Sequence, residues 1–450
     1  MIALRARVLP FPNKLMAWHI AILWLCVVAC RGEGGTLSPV DRVSAPPVGT
    51  MVPPGSSLAA AIAAAAPGAT LVLAAGDYEG PVVIDKPITL WGPPEAMLHA
   101  RAGSTVRVRT NGARLAGFTI VGSGQRFDLM DGGVHLQGDD LVMEGVTVRN
   151  ALFGILVEKC KRAIVRGNTV VGTGLPAMGL RGDGIRLWET NDSEVSDNTI
   201  VDARDVVVWY SSRNQLRRNT VERCRYGTHF MYSHDNVVAD SRYVANEVGV
   251  FVMYSRDIRI ERNLLAKSEG SAGIGIGLKE AGNLTIADNW LLANTTGLYV
   301  DSSPLDPAHH NRYLRNVVRF AESAVSLHST VQRSEFSDNA FSDNGVVVKV
   351  GGQGDALACA FTSNYYDSYQ GYDFDGDGRG DVPFEFRRLS TQLEGRYPEL
   401  ALLHGAPAMG LVDVVGEVMP LFAPRRLVHD AAPRMAPLAM AWSPEAQHAR

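Results

Sequence analysis

A period of about 22 residues runs through the middle of the chain and restricts its fold more than any other feature. Six stretches align: Gly184-Ile-Arg-Leu-Trp188, Asp205-Val-Val-Val-Trp-Tyr-Ser211, Gly227-Thr-His-Phe-Met-Tyr-Ser233, Gly249-Val-Phe-Val-Met-Tyr-Ser255, Gly275-Ile-Gly-Leu-Lys279 and Gly297-Leu-Tyr-Val-Asp301. Their starts lie 21, 22, 22, 26 and 22 residues apart. A second marker keeps the same phase: Asn168, Asn198, Asn219, Asn263, Asn289, Asn316, Asn339 and Asn364, with Ser241 standing in the gap. Repeats of this size belong to solenoids, propellers or arrays. Each unit holds short runs of alternating apolar residues broken by Gly, Asn, Asp and Ser, the period of strands. No unit has room for a ten-residue helix, and a propeller blade needs about 40 residues. A parallel β-helix fits, with the asparagines expected in turns, where they tolerate left-handed backbone and can hydrogen-bond from turn to turn.

The ends read as caps. Ser57 can N-cap an Ala-rich helix over 58–66, stopped by Pro67-Gly68, which would cover the open apolar end of the solenoid. Residues 408–419 read as an amphipathic helix too short to span a bilayer. This C-terminal helix is expected to cap the last rung or to lie in a partner's groove, and the tail after Pro424 is expected to be loose until bound. The expected fold is all-β: one right-handed parallel β-helix with an N-terminal capping helix and a short C-terminal helical extension. Its organisation reads as a signal peptide (1–29), a flexible tether (30–54), the β-helix (55–366), an acidic Asp/Gly loop (367–388) and a partner-docking extension (389–450).

The N-terminus carries an address. Arg5, Arg7 and Lys14 precede an apolar stretch at 15–29, the pattern of an export signal. Val27-Val28-Ala29-Cys30 suits both ordinary cleavage after Ala29 and a lipobox that would acylate Cys30. An extracytoplasmic location follows under either reading, with membrane contact only through a lipid anchor or a partner. Of five cysteines, Cys160, Cys224 and Cys359 survive removal of the address; widely spaced, they form no disulfide framework and read as buried thiols. The net charge of −4 argues against nucleic acid as a partner, because phosphate binding needs a basic face.

Strand alternation assigns faces on the rungs. Ile185, Leu187, Val206, Val208, Thr228, Phe230, Val250, Val252, Ile276 and Leu278 should point inward. Arg186, Trp188, Val207, Trp209, His229, Met231, Phe251, Met253, Gly277 and Lys279 should point outward. At ~4.8 Å between stacked strands, Met231 and Met253 become neighbours, with His229 two residues along. Two thioethers and an imidazole suit Cu(I), so His229, Met231 and Met253 are candidate copper ligands. Trp188, Trp209 and Phe251 extend them into an exposed stripe of the kind that packs on a partner. Tyr210, Tyr232 and Tyr254 form a parallel column in which rings can stack. Asp373, Asp375, Asp377 and Asp381 occupy places 1, 3, 5 and 9 of an EF-hand-like loop, a candidate calcium site. Place 12, however, is Phe384 rather than a bidentate Glu.

The rungs at 182–188, 204–211, 225–233, 252–256 and 277–279 resemble the NosD family. So does Asn364-Tyr-Tyr-Asp-Ser-Tyr-Gln-Gly-Tyr-Asp-Phe-Asp-Gly-Asp-Gly-Arg-Gly-Asp-Val-Pro383 with Arg396-Tyr-Pro-Glu-Leu400 after it, across nearly all of residues 55–440. The resemblance implies a periplasmic accessory factor rather than an enzyme. It implies assembly of the copper–sulfur centre of nitrous oxide reductase, with an ABC transporter membrane subunit, a copper donor protein and the reductase as partners. A lipidated Cys30 would depart from the family pattern. The rivals are a polysaccharide lyase or glycosidase, which would need carboxylates on the outward rungs, and a structural β-solenoid.

Overall fold

The structure, a computed structural model, describes residues 47–330, 333–352, 354–403, 406–440 and 442–443. The export signal, Cys30 and most of the tether lie outside the described residues. Among the described residues, strands form three sheets of 16, 12 and 13 members, and apart from the two ends of the 16-stranded sheet, one of which closes with an antiparallel pair, each strand pairs in parallel with the one three places further along the chain. That is the connectivity of a parallel β-helix, of about 14 turns. The inward residues of all three sheets merge into one continuous core; Ile185, Leu187, Val208, Phe230, Val250, Val252, Ile276 and Leu278 all belong to it. The chain enters this stack earlier than expected. Thr50–Val52, in the segment read as tether, already pairs with Thr70–Leu73.

The asparagine column is real, but its role differs from that of a turn residue. Asn198, Asn219, Asn263, Asn289, Asn316, Asn339 and Asn364 are buried. Each side-chain oxygen serves the rung before it. Asn219 Oδ1 accepts from Asn198 N at 3.1 Å and Nδ2 at 3.0 Å, and Asn364 Oδ1 accepts from Asn339 N at 3.0 Å and Nδ2 at 2.9 Å. Each Nδ2 also donates to a backbone carbonyl further back, as Asn219 does to Val195 O. The left-handed backbone falls on the residue immediately before each asparagine: Asp197, Arg218, Arg262, Asp288, Arg315, Asp338 and Ser363. The asparagine itself turns inward to serve N–H groups that the corner would otherwise leave unpaired, an omission costing about 1–3 kcal/mol each. Those left-handed corner residues pair between rungs, as in Asp197–Arg218 and Asp288–Arg315, both at 2.7 Å, and left-handed residues at another corner do the same, as in Asp202–Arg223 at 2.8 Å.

Both ends are closed. Helix α1 (Leu58–Ala64) is N-capped by Ser57, whose side chain accepts from Ala60 N, and it buries Leu58 and Ile62 over the first rung. At the other end α2 (Leu389–Arg396) lies along the edge strand Val346–Gly351, where Gly395 permits contact with the Val350 carbonyl that any Cβ would block. Helix α3 (Pro407–Val418) packs on α2 instead of on the rung. Asp413 accepts from Ser390 N and Oγ at 2.8 Å, and Gly416 seats against Leu389. The tail is not loose throughout. Val428–Asp430 pairs with both Phe384–Phe386 and the last rung, so residues read as loop and extension complete the first sheet.

Candidate functional site

The working face is the outer surface of the 12-stranded sheet. Register brings Trp188, Trp209, Met231, Met253 and Lys279 into one column, with Arg186, Val207, His229, Phe251 and Gly277 beside them. The expected parity holds throughout. The expected exposure does not. Val207, His229 and Phe251 are buried, and Trp188, Trp209, Met231 and Met253 are half-buried. Outward side chains here cover one another. The Tyr226 ring lies 4.8 Å from His229 and 5.9 Å from Phe251, and Phe251 folds over the space left by Gly277. The Arg186 guanidinium lies over the indoles of Trp188 and Trp209, 4.9 Å from each centroid, and its Nη1 donates to the fully buried Asp183 at 3.2 Å.

His229 has a defined protonation state. The Trp209 indole N–H donates to its Nδ1 at 3.4 Å, and burial lowers its pKa to about 4. The ring is therefore neutral with its proton on Nε2, a buried donor without a partner. Neither nitrogen offers a free lone pair, so the soft donors fit to meet a metal in this arrangement are the thioethers of Met231 and Met253 alone. His229 instead orients Trp209.

The tyrosine column stacks. Tyr210 and Tyr232 are 5.4 Å apart at 11°, and Tyr232 and Tyr254 are 5.0 Å apart at 14°. All three occupy the left-handed region, φ 50, 50 and 49°, at a corner that other rungs fill with Gly138, Lys159, Glu189 or Glu280. A bulky ring there is disfavoured by roughly 1–2 kcal/mol. Face-to-face neighbours return about 0.5–1.5 kcal/mol per pair. The serine that follows each tyrosine turns inward: Ser211 Oγ accepts from Thr190 N, Ser233 Oγ from Ser211 N and Ser255 Oγ from Ser233 N, at 2.9–3.1 Å. The Tyr-Ser pair is thus one corner motif, with the ring outside and the hydroxyl inside.

Next to Trp188 the same face opens a cavity of about 270 Å³ lined by Met130, His135, Leu156, Val157, Glu158, Arg186 and Trp188. His135 Nε2 and Gln137 Nε2 both meet Glu158 Oε2, at 2.8 and 2.9 Å. The sequence held one sign of this cluster, the 21-residue offset that puts Gln137 in register with Glu158.

In the acidic loop, Asp373, Asp375 and Asp377 each bring a carboxylate oxygen within 4.8 Å of the others. Asp381 is not part of that group and accepts from Phe374 N at 2.6 Å. Asp373 already accepts from Gly376 N and Gly378 N. Cys160, Cys224 and Cys359 are buried and unpaired, and burial pushes their thiols up to about 11, 12 and 12.

A large apolar surface lies at the C-terminal end. Leu402, Leu411, Val414, Val418, Leu421 and Phe422 are all exposed, Leu402 and Leu421 at 91% and 88%. No helix among the described residues is long and apolar enough to cross a membrane.

Fold and face together define a parallel β-helix protein with an aromatic and thioether stripe on one sheet. Residues 171–371 match the family model described as "Periplasmic copper-binding protein (NosD)". A "Probable ABC transporter binding protein NosD" of Stutzerimonas stutzeri is 26% identical over 78% of this chain and 83% of its own length. A protein of the same description from Pseudomonas aeruginosa is 27% identical over 78% and 84%. The chain is thus similar to NosD proteins over most of its length. Among solved structures, the catalytic domain of a GH87 α-1,3-glucanase superposes with a TM-score of 0.55 at 12% identity, over 72% of this chain and 71% of that one, a likeness of fold alone.

Proposed function

We propose that this protein is a periplasmic accessory factor for assembling the copper–sulfur centre of nitrous oxide reductase, working with an ABC transporter, and not an enzyme. The observation that carries the reading is the in-register pair Met231 and Met253, half-buried beside Trp188 and Trp209. Two neutral thioethers favour Cu(I) and hold it weakly enough to hand on. A donor protein or the reductase then supplies the remaining ligand while docked on the stripe. The exposed apolar surface of α3 and the turn after it supports docking on the transporter's membrane subunit. Export through the N-terminal signal, with or without acylation of Cys30, accounts for the compartment.

The test is the double substitution Met231→Leu and Met253→Leu, which keeps bulk and removes sulfur. Cells carrying it are expected to make a reductase deficient in its copper centre, while the variant folds and binds its partners as before. A fully loaded reductase would overturn the role of the thioethers.

A further inference from the structure

Two buried histidines on this face each leave one ring nitrogen without a partner, and the two nitrogens are opposite in kind. His229 leaves Nε2, the nitrogen that carries its proton. His135 leaves Nδ1, while its Nε2 meets Glu158 Oε2 at 2.8 Å. That oxygen also accepts from Gln137 Nε2 at 2.9 Å, and an ionised carboxylate only accepts. The proton of the neutral His135 ring is therefore on Nε2, and Nδ1 keeps its lone pair. His135 is 5% exposed, so this lone pair lies within the protein and meets no donor.

Met130 brings a thioether to the cavity that His135 lines. It packs on the cluster of Leu152, Phe153 and Leu156, and Leu156 is the register partner of His135 on the next rung. The loop before the rung holds it there. Met130 takes the left-handed conformation, φ 49°, its N–H donates to Phe127 O at 3.1 Å, and Asp131 Oδ2 accepts from Arg126 N at 3.1 Å. A residue with a side chain stays in that conformation where its surroundings enforce it.

We propose that His135 Nδ1 and the Met130 thioether form a binding site for a soft, singly charged metal ion, Cu(I), separate from the Met231–Met253 pair. Four rungs lie between His135 and His229, which at ~4.8 Å each is about 19 Å. Thioether and imidazole are donors suited to Cu(I). A carboxylate on the far nitrogen is the usual support of a metal-binding histidine: it fixes the tautomer and the ring orientation and makes the ligand more basic. The Glu158 charge also balances that of the ion. Arg186, the cation in the cavity wall, is already paired with Asp183 at 3.2 Å. Two donors satisfy Cu(I), which accepts low coordination numbers, and fall short of the four ligands that Zn(II) takes. The inference deepens the copper reading by giving the ion a resting place on the same sheet as the stripe. It rests on that reading for the identity of the cargo, and not on Met231 or Met253.

The test uses the full chain under anaerobic conditions at neutral pH. Cu(I) is offered as its bicinchoninate complex, and Ag(I) serves as a stand-in without redox chemistry. Wild type is expected to withdraw Cu(I) from the chelator. Met130→Leu, which keeps apolar bulk in a half-buried place, is expected to weaken that uptake severalfold, and His135→Gln to abolish it. Glu158→Gln is expected to weaken it by about 10–100-fold, as the loss of a supporting group does. Met178→Leu, a half-buried methionine of another loop, is expected to change nothing. In protein labelled with ¹⁵N-histidine, Ag(I) is expected to move the His135 Nδ1 resonance while Nε2 keeps its proton, a signature that a structural role would not give. Equal uptake in wild type and Met130→Leu would overturn the site, as would a His135 Nδ1 resonance that saturating Ag(I) leaves in place. Uptake lost in Met231→Leu with Met253→Leu but kept in both Met130→Leu and His135→Gln would overturn it too, with the copper reading intact. The reductase experiment leaves Met130 and His135 unchanged, and this one contains no reductase, so each can fail alone.

Discussion

Asp430 accepts from both the backbone and the side-chain nitrogen of Asn364, at 2.8 and 3.1 Å, and so occupies the place that an asparagine holds in the rungs before it. Its second oxygen accepts from Ser363 N at 3.0 Å. The ladder ends on an acceptor-only group because no further rung needs a donor. Replacing Asp430 with Ala leaves these buried donors unpaired, at about 1–3 kcal/mol each. The expected result is a lower melting temperature and faster amide exchange at 360–366, with the central rungs unaffected.

The same contact changes how the docking reading has to be tested. Deleting 408–450 would remove Asp430 and its strand along with α3, so lost partner binding would not separate docking from unfolding of the last rung. Leu411→Glu with Val418→Glu alters only exposed positions of α3. Co-purification with the transporter is expected to be lost while the unfolding free energy stays within about 0.5 kcal/mol of wild type.

Acid should loosen the corners. Arg162, Arg213 and Arg223 hydrogen-bond Asp140, Asp192 and Asp202 and hold these carboxyls below the usual range. A carboxyl whose folded pKa is depressed contributes stability that is present above its unfolded pKa, ~3.9, and is lost as pH falls through the folded value. The contribution of these corner pairs is therefore expected to be complete above about pH 5 and to be lost below about pH 4, on top of the stability that buried His229, its pKa lowered to about 4, removes as pH falls below about 6.5. Asp192→Asn with Asp202→Asn should flatten that acid limb. The effect per pair is small, because solvent screens exposed pairs, and high salt should reduce it further.

The Asp/Gly loop is held by its own hydrogen bonds, and Asp373, Asp375 and Asp377 form the only group of three or more His, Cys, Asp or Glu ligands placed for a metal among the described residues. Calcium is expected to slow proteolytic cleavage within 371–382, and Asp375→Asn to abolish that protection. Asp373→Ala removes the acceptor of two loop N–H groups and is expected to speed cleavage with or without calcium.

Much of this fold was legible in the amino-acid order. The 22-residue period, the in-phase asparagines and the alternation on each rung determined a parallel β-helix, its register and its inward and outward faces. Period 2 and period 22 are one-dimensional quantities, and stacking converts them directly into neighbours. Tertiary structure alone decided what the outward face does. Whether Phe251 and His229 are exposed depends on how Tyr226 folds across them and on the space over Gly277, and His229's protonation state depends on the Trp209 N–H. The asparagines were assigned to left-handed corners, yet that conformation belongs to the residue before each, because the buried N–H groups draw the amide inward. Likewise, the order of residues marked α3 as amphipathic but could not say which helix would cover the last rung. Gly395 let α2 approach the edge strand, and Asp430, far along the chain, closed the ladder. Contacts that no period relates are invisible until the chain is folded.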